Sequence, residues 1–266
     1  STIASLREQS LINNNLLSVF RKFTRIFYPL LNTLARIIFC HTDFFEDTMI
    51  AIIDYKAGNQ TSVLRALEFL NIEARITDDD DTIMKAHGVI FPGVGAAKHA
   101  MDRLMQNKQD ELLKTLAANH KPLLGICLGC QILLEHSEEN NTETLGIIKG
   151  TCKKFNENWT DGTDENNNPE KIRIPHMGWN SINIKKESPI LKNVRSNETV
   201  YYVHSYYPEP ADANLVLATS TYGKEFAAVY GFNGLWAIQF HPEKSGGTGL
   251  QILKNFNEYC MRNHTL

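Results

Sequence analysis

The stretch Leu123-Leu124-Gly125-Ile126-Cys127-Leu128-Gly129-Cys130-Gln131 decides the fold. Pro122–Ile126 reads as a short buried strand, and the residues after Cys127 read as an amphipathic helix. One passes into the other through Gly-x-Cys-x-Gly. A tight strand-to-helix bend needs glycine at 125 and 129, because a Cβ there would strike neighbouring backbone. The bend presents a thiol at the carboxyl edge of a sheet, where open α/β folds hold ligands, and beside a helix N-terminus, which favours the thiolate.

Outward from that bend, strands and helices alternate. Met49–Asp54 reads as a buried strand. Asn59 or Thr61 caps a helix that turns Val63, Leu64, Leu67, Phe69 and Leu70 to the sheet. Ile72–Thr77 and Gly88–Phe91 are further strands. The acidic run Asp78–Asp81 is a solvated loop with a bias toward a helix N-terminus, and helical sequence fills Ala97–Asn119. After Gly150 the segments shorten and alternate, near Ser181–Ile184, Thr199–Val203, Leu215–Thr219, Phe226–Tyr230 and Leu235–Phe240. The polar stretch Asn156–Glu170 reads as a loop, and Gly249–Met261 as a closing helix. The expected fold is α/β: a mostly parallel open sheet flanked by helices, with additional antiparallel strands in the C-terminal half.

Composition narrows the function classes. Of 266 residues, 42% are hydrophobic and 21% charged, ordinary values for a globular protein. A formal charge of −3 offers no basic face for nucleic acid. No run approaches the roughly 20 apolar residues that a membrane span needs. Five cysteines are thinly spread, which argues against a secreted disulfide framework and for a reducing cytoplasm. Residues 1–48 stand apart as an amphipathic, basic N-terminal extension. The simplest reading takes Met49 as the start of the ordered protein; the acid-poor, arginine-bearing composition also matches a transit segment or a membrane-surface helix.

Two readings compete with a nucleophilic Cys127. A structural buried cysteine is the common case, accepted for Cys40, Cys152 and Cys260, but at 127 the flanking glycines oppose it. Cys127 and Cys130 also form C-x-x-C, a spacing used by redox pairs and zinc sites. No second pair of metal ligands follows, so no metal is expected. A redox pair would leave the distant Phe240-His241-Pro242-Glu243 unexplained. There a strand delivers a histidine and a carboxylate two residues apart, on one side if the extended backbone continues past Pro242. Histidine would take and return the thiol proton while the carboxylate fixes its tautomer.

Gly-Ile-Cys-Leu-Gly-Cys-Gln followed by Gln-Phe-His-Pro-Glu-Lys resembles the paired signature of class I, triad-type glutamine amidotransferases. More narrowly, 49–266 resembles the glutaminase subunits of imidazole glycerol phosphate synthases, through Ile53–Asn59, Pro92–Gly95, Pro175–Asn180, His204–Tyr206 and Glu243–Gly246. The resemblance implies a catalytic triad of Cys127, His241 and Glu243. It implies an oxyanion hole from Gly93, Val94, Gly95 and the amide of Leu128, with a peptide reorientation in the first loop. Glutamine would be held by Gln131, Glu139, Ser205 and Tyr206. A (β/α)8-barrel cyclase partner would be met by Lys244 and by Pro175, His176, Met177, Gly178, Trp179 and Asn180, and no cofactor is implied. Lys56 and Cys130 depart from the pattern, since related subunits often carry glycine or methionine there. The alternatives are a glutaminase subunit of an amino-sugar synthase for surface polysaccharide, a cysteine hydrolase on the same bend, and a binding module with a relic site.

Overall fold

The computed structural model describes residues 49–56 and 59–264, with no account of the His264 side chain. The extension expected over 1–48, and the question of Met49 as a start, lie outside the described residues.

Strand alternation assigns the two faces of the central sheet. In β1 (Ile50–Ile53) every residue is buried, Ile50 and Ile52 in one apolar cluster, Ala51 and Ile53 in the other. The same switch recurs in β3 (Gly88–Gly93), where Ile90 opposes Val89 and Phe91, and in β4 (Leu123–Cys127), where Leu124 and Ile126 oppose Leu123. A strand buried on both faces must be apolar throughout, as these are. Helix α1 (Gln60–Phe69) brings Val63 and Leu67 to the first cluster, joined by Ile252, Leu253 and Phe256 of the C-terminal helix. Helices α3 (Ala97–Gln106) and α4 (Gln109–Ala118) cover the second face with Met101, Leu104, Leu112, Leu113 and Leu116.

The central sheet has eight strands. Strands β2 (Ala74–Thr77), β1, β3, β4 and β16 (Leu235–Ile238) are parallel neighbours in that order. Beyond β16 the sheet continues antiparallel through β15 (Lys224–Phe232), β14 (Val216–Tyr222) and β11 (Asn183–Ile184). The expected parallel half and antiparallel extension are therefore both present. A second, four-stranded sheet contains β5 (His136–Ser137), β6 (Thr142–Glu143), β7 (Gly150–Lys154) and β13 (Tyr206–Pro210). Strands β10 (His176–Ser181) and β12 (Thr199–His204) pair antiparallel as a two-stranded ribbon of their own.

Several local expectations are corrected. Asp79 caps a real helix, α2 (Asp80–Lys85), by accepting from the Thr82 amide at 2.9 Å. The helical stretch after Ala97 breaks in two at Lys108, whose φ of 58° is left-handed. Phe69 is 75% exposed, because it lies off the face that Val63 and Leu67 present to the sheet. The polar stretch after Asn156 holds an exposed hairpin of β8 (Thr160–Thr163) and β9 (Pro169–Lys171). The segment after Cys127, α5 (Leu128–Ile132), is a single five-residue turn that is buried throughout rather than amphipathic. The closing helix, α6, begins earlier than expected and spans Gly246–His264.

Candidate active site

Cys127 ends β4 in the middle of the sheet, between β3 and β16, with φ 54° and ψ −112°. That backbone geometry is strained for a residue with a side chain, and it turns the thiol up from the strand end. The flanking glycines are sterically required. A Cβ on Gly125 would come within 2.7 Å of Leu133 Cδ1, and one on Gly129 would collide with the Phe91 carbonyl oxygen. Since α5 is one turn long, its dipole adds little, and the thiol depends on its side-chain neighbours.

His241 arrives shortly after the end of β16. Its backbone is pinned from both sides: its N–H donates to the Tyr201 carbonyl at 2.9 Å, and its carbonyl accepts from Ser245 Oγ at 2.6 Å. The extended backbone does not continue past Pro242, which starts a 3-10 turn through Lys244. The turn still brings the carboxylate round, with His241 Nδ1 and Glu243 Oε1 2.8 Å apart and both side chains buried. Glu243 Oε1 also accepts from Asn59 Nδ2 at 3.0 Å. The remaining ring nitrogen, Nε2, has no hydrogen-bond partner and faces the cavity that Cys127 also lines. Burial alone would lower the His241 pKa, but the Cys127 sulfur and the Glu243 carboxylate outweigh it and raise it to about 10. A raised pKa lets the ring keep its proton, with the Glu243 carboxylate as the charge that faces Nδ1.

That cavity, about 320 Å³, is lined by Val94, Gly95 and Leu128 and by Gln131, Glu139, Ser205 and Tyr206. The sequence-predicted oxyanion and substrate residues thus surround one thiol. Gly93 ends β3 in register with Cys127, and a Cβ on it would come within 2.8 Å of the Gly129 nitrogen, so the two turns interlock. Gly95 sits at φ +94°, a conformation that suits glycine. Glu139 is fixed from behind, its Oε2 accepting from the Ala97 amide at 2.6 Å. Among the described residues no group of three or more His, Cys, Asp or Glu side chains is placed to hold a metal ion.

The residues expected to face a partner divide. Met177 and Trp179 are exposed on one side of β10, Pro175 and Lys244 are exposed as well, and Gly178 and Asn180 are half-buried. His176 points inward instead and is buried against His204. Sequence reading gave Asn59 no role beyond a helix cap, and it quoted His204, Gln239 and Ser245 within the motifs that carry the resemblance without assigning them a role. The one signal available for Gln239 was its place two residues before His241 in the same segment.

A family model for class-I glutamine amidotransferases matches residues 51–259. The imidazole glycerol phosphate synthase subunit HisH of Nitratidesulfovibrio vulgaris (strain Miyazaki F) is 55% identical over 80% of this chain and 97% of its own length. The protein of the same name from Maridesulfovibrio salexigens is 52% identical over the same shares. Among solved structures, PurLQS from Thermotoga maritima aligns with a TM-score of 0.59 at 17% identity, covering 80% of this chain and 99% of that one. A glutamine amidotransferase from the same organism aligns at 0.51 and 14% identity, covering 82% of this chain and 85% of that one. These last two bear on the fold alone. With the family model spanning most of the chain and relatives matched over nearly their whole length, the chain belongs to the class-I glutamine amidotransferases and groups within them with the HisH subunits of imidazole glycerol phosphate synthase.

Proposed function

We propose that the chain hydrolyses glutamine to glutamate and ammonia at Cys127 and passes the ammonia to a synthase partner. The observation that carries this reading is His241, whose Nδ1 is held by the Glu243 carboxylate while the residue lines the same cavity as Cys127. The thiolate attacks the side-chain amide carbon of glutamine, and the carbonyl electron pair moves onto oxygen. The reading gives that oxyanion to the backbone amides of the Gly93–Gly95 loop, after the peptide reorientation the resemblance implies, and of Leu128; a single donor of this type is typically worth about 10²–10³ in rate. Collapse of the intermediate expels ammonia, which takes its proton from the His241 imidazolium. The neutral ring then accepts a proton from water, and the hydroxide cleaves the thioester to glutamate. Glu243 and Asn59 keep the ring in the tautomer that both steps need.

Ammonia released to water protonates and loses its nucleophilicity, so a sheltered passage into the partner follows from the chemistry. The resemblance implies a (β/α)8-barrel cyclase as that partner, and the names of the relatives, subunits of imidazole glycerol phosphate synthase, favour its pathway over an amino-sugar synthase. The products would be imidazole glycerol phosphate and an aminoimidazole carboxamide ribotide, formed in histidine biosynthesis. The exposed pair Met177 and Trp179 is the surface we assign to the contact, with residues 49–266 as the amidotransferase domain and 1–48 as an extension of it. The heterodimer is assigned to the cytoplasm on the cysteine usage of the sequence; among the described residues no helix is long and apolar enough to cross a membrane.

The test is a glutaminase assay with and without the cyclase and its nucleotide substrate, run on Cys127 and Cys127→Ala proteins. The reading expects slow turnover alone, activation by the loaded partner, and loss of glutamine use in Cys127→Ala with ammonia-dependent synthesis kept. Loss of both activities in Cys127→Ala would refute it.

A further inference from the structure

Gln239 is fully buried between the end of β16 and His241, and no step above uses it. Its amide orientation can be read from a group that has no choice. The Tyr206 carbonyl can only accept, and Gln131 Nε2 donates to it at 2.9 Å. The second hydrogen of the same Gln131 nitrogen therefore points to Gln239, whose Oε1 accepts it at 2.9 Å. A second donor reaches that oxygen, the Cys130 thiol at 3.7 Å. Cys130 is fully buried, and burial pushes its thiol up, so it keeps the S–H that this contact requires. With Oε1 committed to two donors, the Gln239 amide nitrogen must face the other way. It faces the Cys127 sulfur, 3.9 Å off.

We propose that Gln239 is a fourth member of the catalytic apparatus, an amide donor that holds the Cys127 sulfur in its anionic form, with the Cys130 thiol locking its orientation. The inference rests on Cys127 being the nucleophile. Sulfur is large and a weak acceptor while protonated, so a separation of 3.9 Å is loose for a thiol; the contact strengthens once the sulfur is charged. The C-x-x-C spacing thereby acquires a use without redox chemistry. Cys130 supplies a buried donor to the glutamine that serves Cys127, and both cysteines are free.

The test is the rate at which iodoacetamide alkylates Cys127, located by mass spectrometry, as a function of pH in the full chain. In Gln239→Met the pH of half-maximal rate moves up by about one unit, so that below both midpoints the variant reacts roughly tenfold more slowly. A role confined to packing would lower the melting temperature and leave that midpoint in place; a folded variant with the unaltered midpoint overturns the proposal. Should Gln239→Met not fold, the unaltered protein still decides. With glutamine side chains labelled with ¹⁵N, one amide resonance follows pH with the alkylation midpoint and ceases to do so in Cys127→Ala. No glutamine amide tracking Cys127 overturns the proposal. If Cys127 in the unaltered chain alkylates no faster than the buried Cys152 and Cys260 at any pH, the nucleophile reading itself fails, and this inference falls with it.

Discussion

His176 and His204 meet ring to ring inside the protein, Nδ1 of the first 2.9 Å from Nε2 of the second. The protons on this pair are fixed by a carbonyl at one end. His204 Nδ1 faces the Tyr206 oxygen at 2.8 Å and must donate, which leaves its Nε2 an acceptor. His176 Nδ1 is then the donor, and its Nε2 accepts from Asn180 Nδ2 at 3.3 Å. Every contact is satisfied with both rings neutral. Strand β10, which carries the exposed Trp179, is thus tied to the backbone of Tyr206 in the substrate cavity.

The pair predicts acid sensitivity. Burial lowers the His176 pKa to about 4; burial, with the repulsion a second proton would meet from His176 and His241, lowers that of His204 to about 3, against a partial rise from the Tyr206 carbonyl. An unfolded histidine binds its proton near pH 6.5, so below that pH the unfolded chain takes up protons that the folded chain refuses. The stability from these rings is present above about pH 6.5 and falls as the pH drops toward 4 and 3, by about 1.4 kcal/mol per pH unit for each ring. Urea melts between pH 7 and 4.5 measure this. His176→Gln should flatten the slope by about half of that contribution, and an unchanged slope would show that the rings titrate as they do in the unfolded chain.

The sequence made the middle of the central sheet legible because β1, β3, β4 and β16 are apolar runs of four to six residues, too short for a buried helix. It made the bend at Cys127 legible because steric need writes itself as glycine at 125 and 129. It could not show that α5 lasts only one turn, since five buried residues have no polar face to mark their limit. Nor could it show the β8–β9 hairpin. Its turn is made by Asp164, whose Oδ1 accepts from the amides of Asn166 and Asn168 at 2.8 Å, and to composition that looks like any polar loop. Asn59 and Glu243 lie 184 positions apart, and Gln239 and Gln131 lie 108 apart; tertiary placement gives them their roles, and no local pattern announces it.

Asn59 yields a prediction about rate rather than stability. Its Nδ2 holds the same Glu243 oxygen that faces His241, and its own Oδ1 is fixed by Ser62 Oγ at 2.6 Å. Asn59→Leu removes one charge-assisted bond and frees the carboxylate to swing. Steady-state glutaminase assays with the partner present should give kcat reduced about tenfold and KM changed by less than about twofold. Asn59→Asp should be worse, because it sets a like charge against Glu243. A large rise in KM at constant kcat would place Asn59 in substrate binding instead.

Three glycines separate packing from strain. A Cβ on Gly129 meets the Phe91 carbonyl, which belongs to a buried central strand and cannot move aside. Gly129→Ala should cost at least about 1–3 kcal/mol and abolish glutamine hydrolysis by displacing the bend. Gly95 has open space around it but φ +94°, so Gly95→Ala should cost only about 1 kcal/mol and still slow the reaction by disturbing the oxyanion loop. Gly247 has neither obstacle and lies exposed in the first turn of α6; Gly247→Ala should raise stability by about 0.5 kcal/mol. Denaturant midpoints of the isolated chain give all three, and the ordering 129, 95, 247 is the point at risk.

Trp179 offers the sharpest separation of folding from association. It is 58% exposed and Met177 is 63% exposed, two residues apart on β10, so both project to the same side of the strand. A tryptophan that supported the core would be covered; this one meets Tyr201 edge to face, ring centres 6.0 Å apart at 71°, which holds the indole upright. Removing it should leave the isolated chain within about 0.5 kcal/mol of its original stability. An aromatic anchor at the centre of an interface is commonly worth about 2 kcal/mol or more, so Trp179→Ala should weaken binding to the cyclase by roughly thirtyfold or more. At saturating partner the glutaminase rate should recover, since β10 reaches the cavity through the buried His176 and not through the indole. Calorimetric titration of the two proteins, beside a thermal melt of the variant alone, distinguishes the outcomes: a lowered melt with unchanged affinity would move Trp179 from the contact surface into the fold.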